Sequence, residues 1–199
     1  RLLSEGHIFG WYQGGCEYGP RALGNRSILA DPRKPETKDI VNKRVKHRQS
    51  FRPFAPVVLA ERSAEIFEGE EESPFMLLAK NGGSPAEESA PPEWKDKIPA
   101  IVHVDGTARV QTIRENQNPK LYRLLKEFEK LTGVPVLLNT SFNVRGEPIV
   151  ETPEDAVNCF LRTGLDHLAL HDTLLTKTKL HKPMLSAKRT LNEITTMVR

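Results

Sequence analysis

An α/β fold built on a mixed β-sheet is the class this sequence predicts, and three observations predict it. Apolar runs of strand length alternate with amphipathic helical stretches along the chain. Two of the helical stretches carry full start signals and glycine exits. The strand runs are separated by helices in some places and by tight turns in others, which suits a sheet of mixed direction.

In chain order, His7–Tyr12 reads as a strand. Residues 35 to about 47 read as a helix, with Ile40, Val41 and Val45 on one side. Phe54–Leu59 and Phe75–Leu78 are apolar runs of strand length. Ala100–Ile113 reads as a hairpin about Asp105-Gly106, a strong turn pair. The clearest helix spans 119–132: Asn118 can cap it, Pro119 suits its first turn and Gly133 its exit. Its core face is Leu121, Leu124, Leu125, Phe128 and Leu131. Val134–Leu138 follows as a buried strand. Thr152-Pro153-Glu154-Asp155 opens a further helix with a capping-box pattern, ending at Gly164. Leu168–Leu170 and Leu174–Thr176 are short final strands.

The chain has 199 residues, 28% charged and 38% hydrophobic, enough for one domain with a real core. No stretch reaches the roughly 18 apolar residues of a membrane helix. No signal peptide is visible, and RLLSEGHIFG lacks a start methionine, so the chain reads as a piece of something longer. Cys16 and Cys159 are too few for a disulfide scaffold and too far apart for a zinc knuckle, so a cytoplasmic setting is expected. Cys16 is expected to be a buried thiol, because nothing beside it marks a base.

The formal net charge of +3 conceals an uneven distribution. Residues 1–59 hold 11 Lys/Arg against 5 Asp/Glu, residues 60–96 hold 3 against 10, and residues 97–199 hold 15 against 11. The acidic block, 60–97, reads as a surface insertion, with a long mobile loop in its Gly/Pro/Ser/Glu-rich part. Residues 1–180 form the expected domain. A basic tail, 181–199, is read as a helix or as unstructured chain.

Four polar segments carry the candidate chemistry. Gly19–Ser27 is a glycine-bounded turn bearing Arg21 and Arg26. It lacks the Lys-Ser/Thr that a Walker loop needs, yet two guanidiniums suit a phosphate or carboxylate. The structural alternative pairs one arginine with Glu17 and leaves the other solvated. The second segment crowds Lys43, Arg44, Lys46, Arg48 and Arg52 into ten positions. A helix C-terminus explains Lys46 and Arg48. Arg52, between Phe51 and Pro53-Phe54, is costly unless it meets an anion. The third segment is His103–Gln111, with polar groups at alternate positions and Arg109 among apolar neighbours; it could equally be the solvent face of a hairpin. The fourth, Asn139-Thr140-Ser141-Phe142-Asn143, ends a buried strand in hydrogen-bonding groups, where α/β sheets bind ligands. An ordinary turn is the alternative there. Together the segments point to a small, highly anionic ligand.

The stretches GPRALGNRSILADPR (19–33), KHRQSFRPFAP (46–56), HVDGTARVQT (103–112) and LLNTSFNVRGEPIV (137–150), in this order, resemble the C-terminal domain of the O-carbamoyltransferases of nodulation-factor and antibiotic biosynthesis. The resemblance runs from about Gly10 to Lys177. It implies a YrdC-like fold, a twisted mixed sheet flanked by helices. It also implies that the domain takes carbamoyl phosphate and ATP and forms a carbamoyl-adenylate, with Mg²⁺ carried on the nucleotide. An N-terminal domain of the actin-like ATPase class would pass the carbamoyl group to a hydroxyl. By the resemblance, Arg21, Lys46, Arg52, Arg109 and Ser141 hold carbamoyl phosphate, with Lys46, Arg52 and Arg109 carrying the chemistry. Asn143, Asn139, Ser141 and His103 fall on the ATP side, His103 as a candidate proton relay. Where the family often has Arg-Met-Glu, this chain has Gly15-Cys16-Glu17, one basic residue fewer. An RNA-binding YrdC-like module and a non-catalytic anion-binding domain are the rival readings. Neither a membrane nor, on the main reading, a nucleic acid is an expected partner.

Overall fold

The computed structural model describes residues 1–69, 72–81, 93–177 and 194–198. The chain enters through a 3₁₀ turn, Leu2–Glu5, and then forms β1(Phe9–Tyr12) and β2(Arg26–Ala30). Helix α1(Glu36–Val41) widens without a break into a π-helical turn, Asn42–Lys46, which leads to β3(Ala55–Leu59). Short elements follow: α2(Ser63–Ile66), β4(Ala79–Asn81), α3(Glu93–Lys97), β5(Thr107–Arg109) and β6(Gln111–Ile113). The second half holds α4(Pro119–Thr132), β7(Val136–Ser141), α5(Pro153–Arg162), β8(His167–Leu170), β9(Thr173–Lys177) and β10(Ile194–Val198).

Eight strands form one mixed sheet in the order β10-β9-β8-β1-β2-β7-β3-β6. The pairs β1–β8 and β3–β6 are parallel, and the rest are antiparallel. β4 and β5 make a separate antiparallel pair. Helix α4 packs on β3 and β7, and α5 on β1 and β8. This is the mixed sheet flanked by helices that the sequence predicts. All of β2 is buried, as are the first four residues of β7, so these two strands form the centre of the core.

The helix signals act as their chemistry requires. Asn118 Oδ1 accepts the Leu121 N–H at 3.1 Å, and Gly133 closes α4 with φ 73°. In α5 Thr152 accepts the Asp155 N–H at 3.1 Å, and the Asp155 carboxylate accepts the Thr152 N–H in return. Leu121, Leu125 and Phe128 are buried, whereas Leu131 is 57% exposed. Ten positions on from Leu121, Leu131 lies about 80° round the helix and misses the sheet. Ile40 stands about 100° from Val41 and is likewise exposed, while Val41 and Val45 are fully buried.

Other expectations are corrected. Phe75–Leu78 is not a strand: Met76 takes a left-handed backbone, φ 55°, which breaks the run and leaves Phe75 and Leu77 exposed. Ala100–Ile113 is not a simple hairpin. The Asp105-Gly106 turn forms, with the His103 N–H donating to the Thr107 carbonyl at 2.8 Å. The strands around it, however, take other partners, since β5 pairs with β4 and β6 with β3. Strand β2 has no counterpart in the sequence reading, where its first residues lay inside the polar turn. The acidic block sends Ile66 and Phe67 into the core, so it is not only surface. The loop expected to be mobile falls largely on residues 82–92, outside the described residues. Residues 178–193 and 199 also lie outside them, and Ile194–Val198 is a strand rather than a helix. Among the described residues no helix is long and apolar enough to cross a membrane.

Gly24 shows how tightly the layers meet. Its φ is +110°, and a Cβ there would stand 2.3 Å from Leu121 Cδ2. Strained backbone and overpacking each cost about 1–3 kcal/mol. Gly24→Ala is therefore expected to lower stability by at least about 1 kcal/mol, read as a lower urea midpoint; an unchanged midpoint would contradict this packing.

Candidate active site

The π-helical turn and the end of β7 meet through one side chain. Lys46 closes the turn and is 3% exposed. Its Nζ donates to the Ser141 carbonyl (2.5 Å), Ser141 Oγ (3.1 Å), the Asn143 carbonyl (3.1 Å) and Asn143 Oδ1 (2.8 Å). Ser141 Oγ in turn donates to Asn143 Oδ1 at 2.8 Å, and Asn143 Nδ2 donates to the Glu147 carbonyl at 2.8 Å. Four oxygens facing three N–H protons suit an ammonium. Burial, with a smaller contribution from the Arg48 charge, pulls its pKa down to about 7. The strand end is fixed by register: Ser141 lies opposite Ser27 of β2, and the Phe142 N–H donates to the Arg26 carbonyl at 2.9 Å.

The turn that carries Arg21 is held by its backbone. Glu17 Oε1 accepts the N–H groups of Leu23 and Asn25, both at 2.7 Å, and of Arg26 at 3.3 Å. From the other side, Asn139 Nδ2 donates to the Ala22 carbonyl (3.1 Å), Gln111 Nε2 to that of Leu23 (2.8 Å) and Trp11 Nε1 to that of Gly24 (2.8 Å). A second bond from Asn139 Nδ2, to Gln111 Oε1 at 2.7 Å, locks the two amides together. Asn139 is 1% exposed and lies behind the turn, not at its surface. This arrangement replaces the ion pair that the sequence allowed between Glu17 and an arginine. Arg26 is buried, 3.5 Å over the Tyr12 ring, with its guanidinium on the Gln13, Gly14 and Glu151 carbonyls. Only Arg21, exposed at the apex, remains for a ligand.

Arg109, on β5, is half-buried, and its Nε is fully buried without a hydrogen-bond partner. Burial and then the nearby Arg21 charge pull its pKa below the ordinary value, although a guanidinium stays charged at neutral pH. Two neighbouring cations with an orphaned N–H form a site that wants an anion. His103 accompanies them. Its Nδ1 lies 3.0 Å from Thr107 Oγ1, and burial lowers its pKa, with Arg109 and Lys38 adding to the effect. Arg52 is exposed, so the burial cost inferred from its aromatic neighbours does not arise; Phe51 is 73% exposed.

A cleft of about 430 Å³ opens over this network. Ser141 and Asn143 line one wall, and Cys16, Glu17, Gly19 and Pro20 another. Cys16 is exposed, not the buried thiol expected, because it lies on the connection between β1 and β2 that edges the cleft. Among the described residues, no group of three or more His, Cys, Asp or Glu could hold a metal ion. The structure thus joins Lys46, Ser141 and Asn143 directly and sets Arg21, Arg109 and His103 together. Sequence reasoning paired Glu17 with an arginine and gave Gln111 no role of its own, and so missed both as backbone clamps. Gln111 sits at an alternate polar position of its segment, which was a usable signal; nothing local marked Glu17 as a backbone clamp.

The family described as "Carbamoyltransferase C-terminus" matches residues 1–177. The chain is 48% identical over 178 residues to nodulation protein NolNO of Sinorhizobium fredii, covering 88% of this chain and 25% of that protein. It is 47% identical over 179 residues to nodulation protein NolO of Bradyrhizobium diazoefficiens, covering 88% and 31%. It is also 47% identical over 189 residues to the uncharacterized protein sll1178 of Synechocystis sp., covering 89% and 31%. The chain therefore spans about a quarter to a third of the length of these relatives. With the family matched over most of its length, the chain belongs to the carbamoyltransferase C-terminal family.

Proposed function

We propose that this domain binds carbamoyl phosphate together with ATP and forms a carbamoyl-adenylate. The observation that carries the reading is the buried, unpartnered Nε of Arg109 beside Arg21, facing no described counter-charge. Carbamoyl phosphate brings about two negative charges and ATP about four, and such ligands repel each other unless cations stand between them. Arg109 and Arg21 supply two. Arg52, whose side chain has no described ion pair, supplies a third, and the Lys46 ammonium a fourth.

Water splits carbamoyl phosphate into carbamate and inorganic phosphate. A carbamate oxygen then attacks the α-phosphorus of ATP: the new O–P bond forms, the α–β bridge breaks and pyrophosphate leaves. Lys46 holds Ser141 and Asn143 in one orientation, so their remaining hydrogen-bonding capacity faces the small polar end of the ligand. His103 stands beside Arg109 as a proton relay. Mg²⁺ enters on the nucleotide, where it neutralises phosphate charge. In a protein of the relatives' length, the remaining part, an N-terminal domain of the actin-like ATPase class, passes the carbamoyl group to a hydroxyl acceptor. The setting is cytoplasmic.

Arg52→Ala and Arg109→Ala are each expected to lower carbamoyl-phosphate-dependent pyrophosphate release by about 10²–10³-fold, the usual loss for one preorganised charge donor. Release at the wild-type rate in both variants would remove the assignment.

The Lys46 pKa of about 7 gives a signed pH test. From about pH 7 up to its ordinary value of 10.5, the unfolded chain holds a proton that the ligand-free folded chain has lost. Ligand-free stability should therefore rise with pH in that window, while affinity for carbamoyl phosphate falls as the ammonium is lost. Melting curves and calorimetry across pH 6–10 check both slopes. Lys46→Met should flatten them, and a wild-type protein lacking both would refute the role.

A further inference from the structure

We infer that Asn42 is a positioning residue whose buried amide fixes the loop of residues 47–53, so that Arg52 is set at the anion site before a ligand arrives. The inference rests on the reading of Arg52 as an anion ligand. Asn42 opens the π-helical turn that Lys46 closes, and it is 1% exposed. Every polar atom of its side chain is engaged with that loop. Its Oδ1 accepts Arg48 Nε at 2.7 Å, and its Nδ2 donates to the Ser50 carbonyl at 3.3 Å and to that of Arg52 at 3.2 Å. Its backbone carbonyl also accepts the Arg48 N–H at 3.2 Å.

The loop has little else to hold it. Residues 47 and 49–53 are exposed, and within the loop the Arg52 N–H donates to the Gln49 carbonyl at 3.3 Å. His47 turns the chain out of the helix through a left-handed conformation, φ 47°. Arg48 completes the tie: it lies 4.7 Å over the Phe54 ring and donates to the Pro53 carbonyl at 3.3 Å. A free loop would pay its ordering entropy when the ligand binds, and a clamped one has paid it on folding. A buried side chain whose whole capacity goes to an exposed, cation-bearing loop, its Nδ2 to two backbone carbonyls and its Oδ1 to Arg48 Nε, has no comparable use in the core, where an apolar residue would pack without desolvation. The π-helical turn thus serves the site twice from one buried face: Lys46 grips β7, and Asn42 grips the Arg52 loop.

The test uses the chain as it stands, with the variants Asn42→Ala, Arg48→Met, Arg52→Ala and the double variant Asn42→Ala/Arg52→Ala. Carbamoyl-phosphate affinity is measured by calorimetry, and amide hydrogen exchange over residues 47–53 is followed without ligand. Asn42→Ala is expected to weaken binding about tenfold or more, as misplaced binding groups do, and Arg48→Met by less. The double variant should bind no more weakly than Arg52→Ala alone, because Asn42 acts only through Arg52. Exchange should quicken at Arg48 and Arg52, whose N–H groups are bonded to the Asn42 and Gln49 carbonyls, while the core amides keep their protection. Additive losses, unchanged affinity or unchanged exchange would each overturn the inference. Arg48→Met decides it on the same readouts if Asn42→Ala does not fold. If wild-type protein fails to bind carbamoyl phosphate, the reading of the site fails, and the exchange measurement still judges the clamp.

Discussion

A positive charge taken out of water must be met by oxygen, and the way Lys46 meets that demand organises this molecule. Its ammonium ties the π-helical turn to the end of β7 through Ser141 and Asn143. Parting the turn from the strand end would leave the buried Nζ and its four acceptors unsatisfied, which is costly, so the two cannot drift apart independently. The docking of the turn on the other side is equally close. The Gly164 N–H donates to the Arg44 carbonyl at 2.8 Å, and a Cβ on Gly164 would meet Arg44 Cβ at 2.7 Å. The salt bridge of Arg44 to Asp166, whose carboxylate also accepts the Ile8 N–H, joins the turn to the β1–β8 side of the sheet.

The site has two kinds of cation, and burial sorts them. Lys46 is buried with its Nζ on four protein oxygens, and Arg26 is buried with its terminal nitrogens on backbone carbonyls and its Nε left over. Arg21 and Arg52 are exposed on clamped turns, and Arg109 is half-buried with one N–H left over. The clamps are neutral amides and one carboxylate: Asn42, Asn139, Gln111 and Glu17. Amide clamps on backbone carbonyls add no charge of their own, so Arg21 and Arg52 are held in place without being neutralised by an ion pair.

Much of this was legible in the sequence where a local rule governs. Caps at Asn118 and Thr152, the exit at Gly133 and the buried run into β7 follow from nearest-neighbour chemistry, and the structure has them. Where the sequence misled, a distant partner decides. Arg26 looked like a ligand because its real acceptors lie on Gln13, Gly14 and Glu151. Arg52 looked buried because it stands among aromatic and proline neighbours, yet Phe51 points to solvent and Phe54 to the core. Asp105-Gly106 announced a turn correctly but could not say which strands its arms would join.

The β2–β7 pairing brings Ser27 beside Ser141, residues far apart along the chain. Lys46 and Ser141 are 95 positions apart, and Ala22 and Asn139 are 117 apart. The contacts that bring β7 to the turn and to the π-helical segment therefore close long loops, the slow and entropically costly kind. A nascent chain that has emerged only through α4 holds Arg21, Arg52 and Arg109 but lacks the strand end that carries Ser141 and Asn143. That wall of the cleft exists only once β7 has taken its place between β2 and β3, so the cleft is a product of the sheet's centre and not of any one segment.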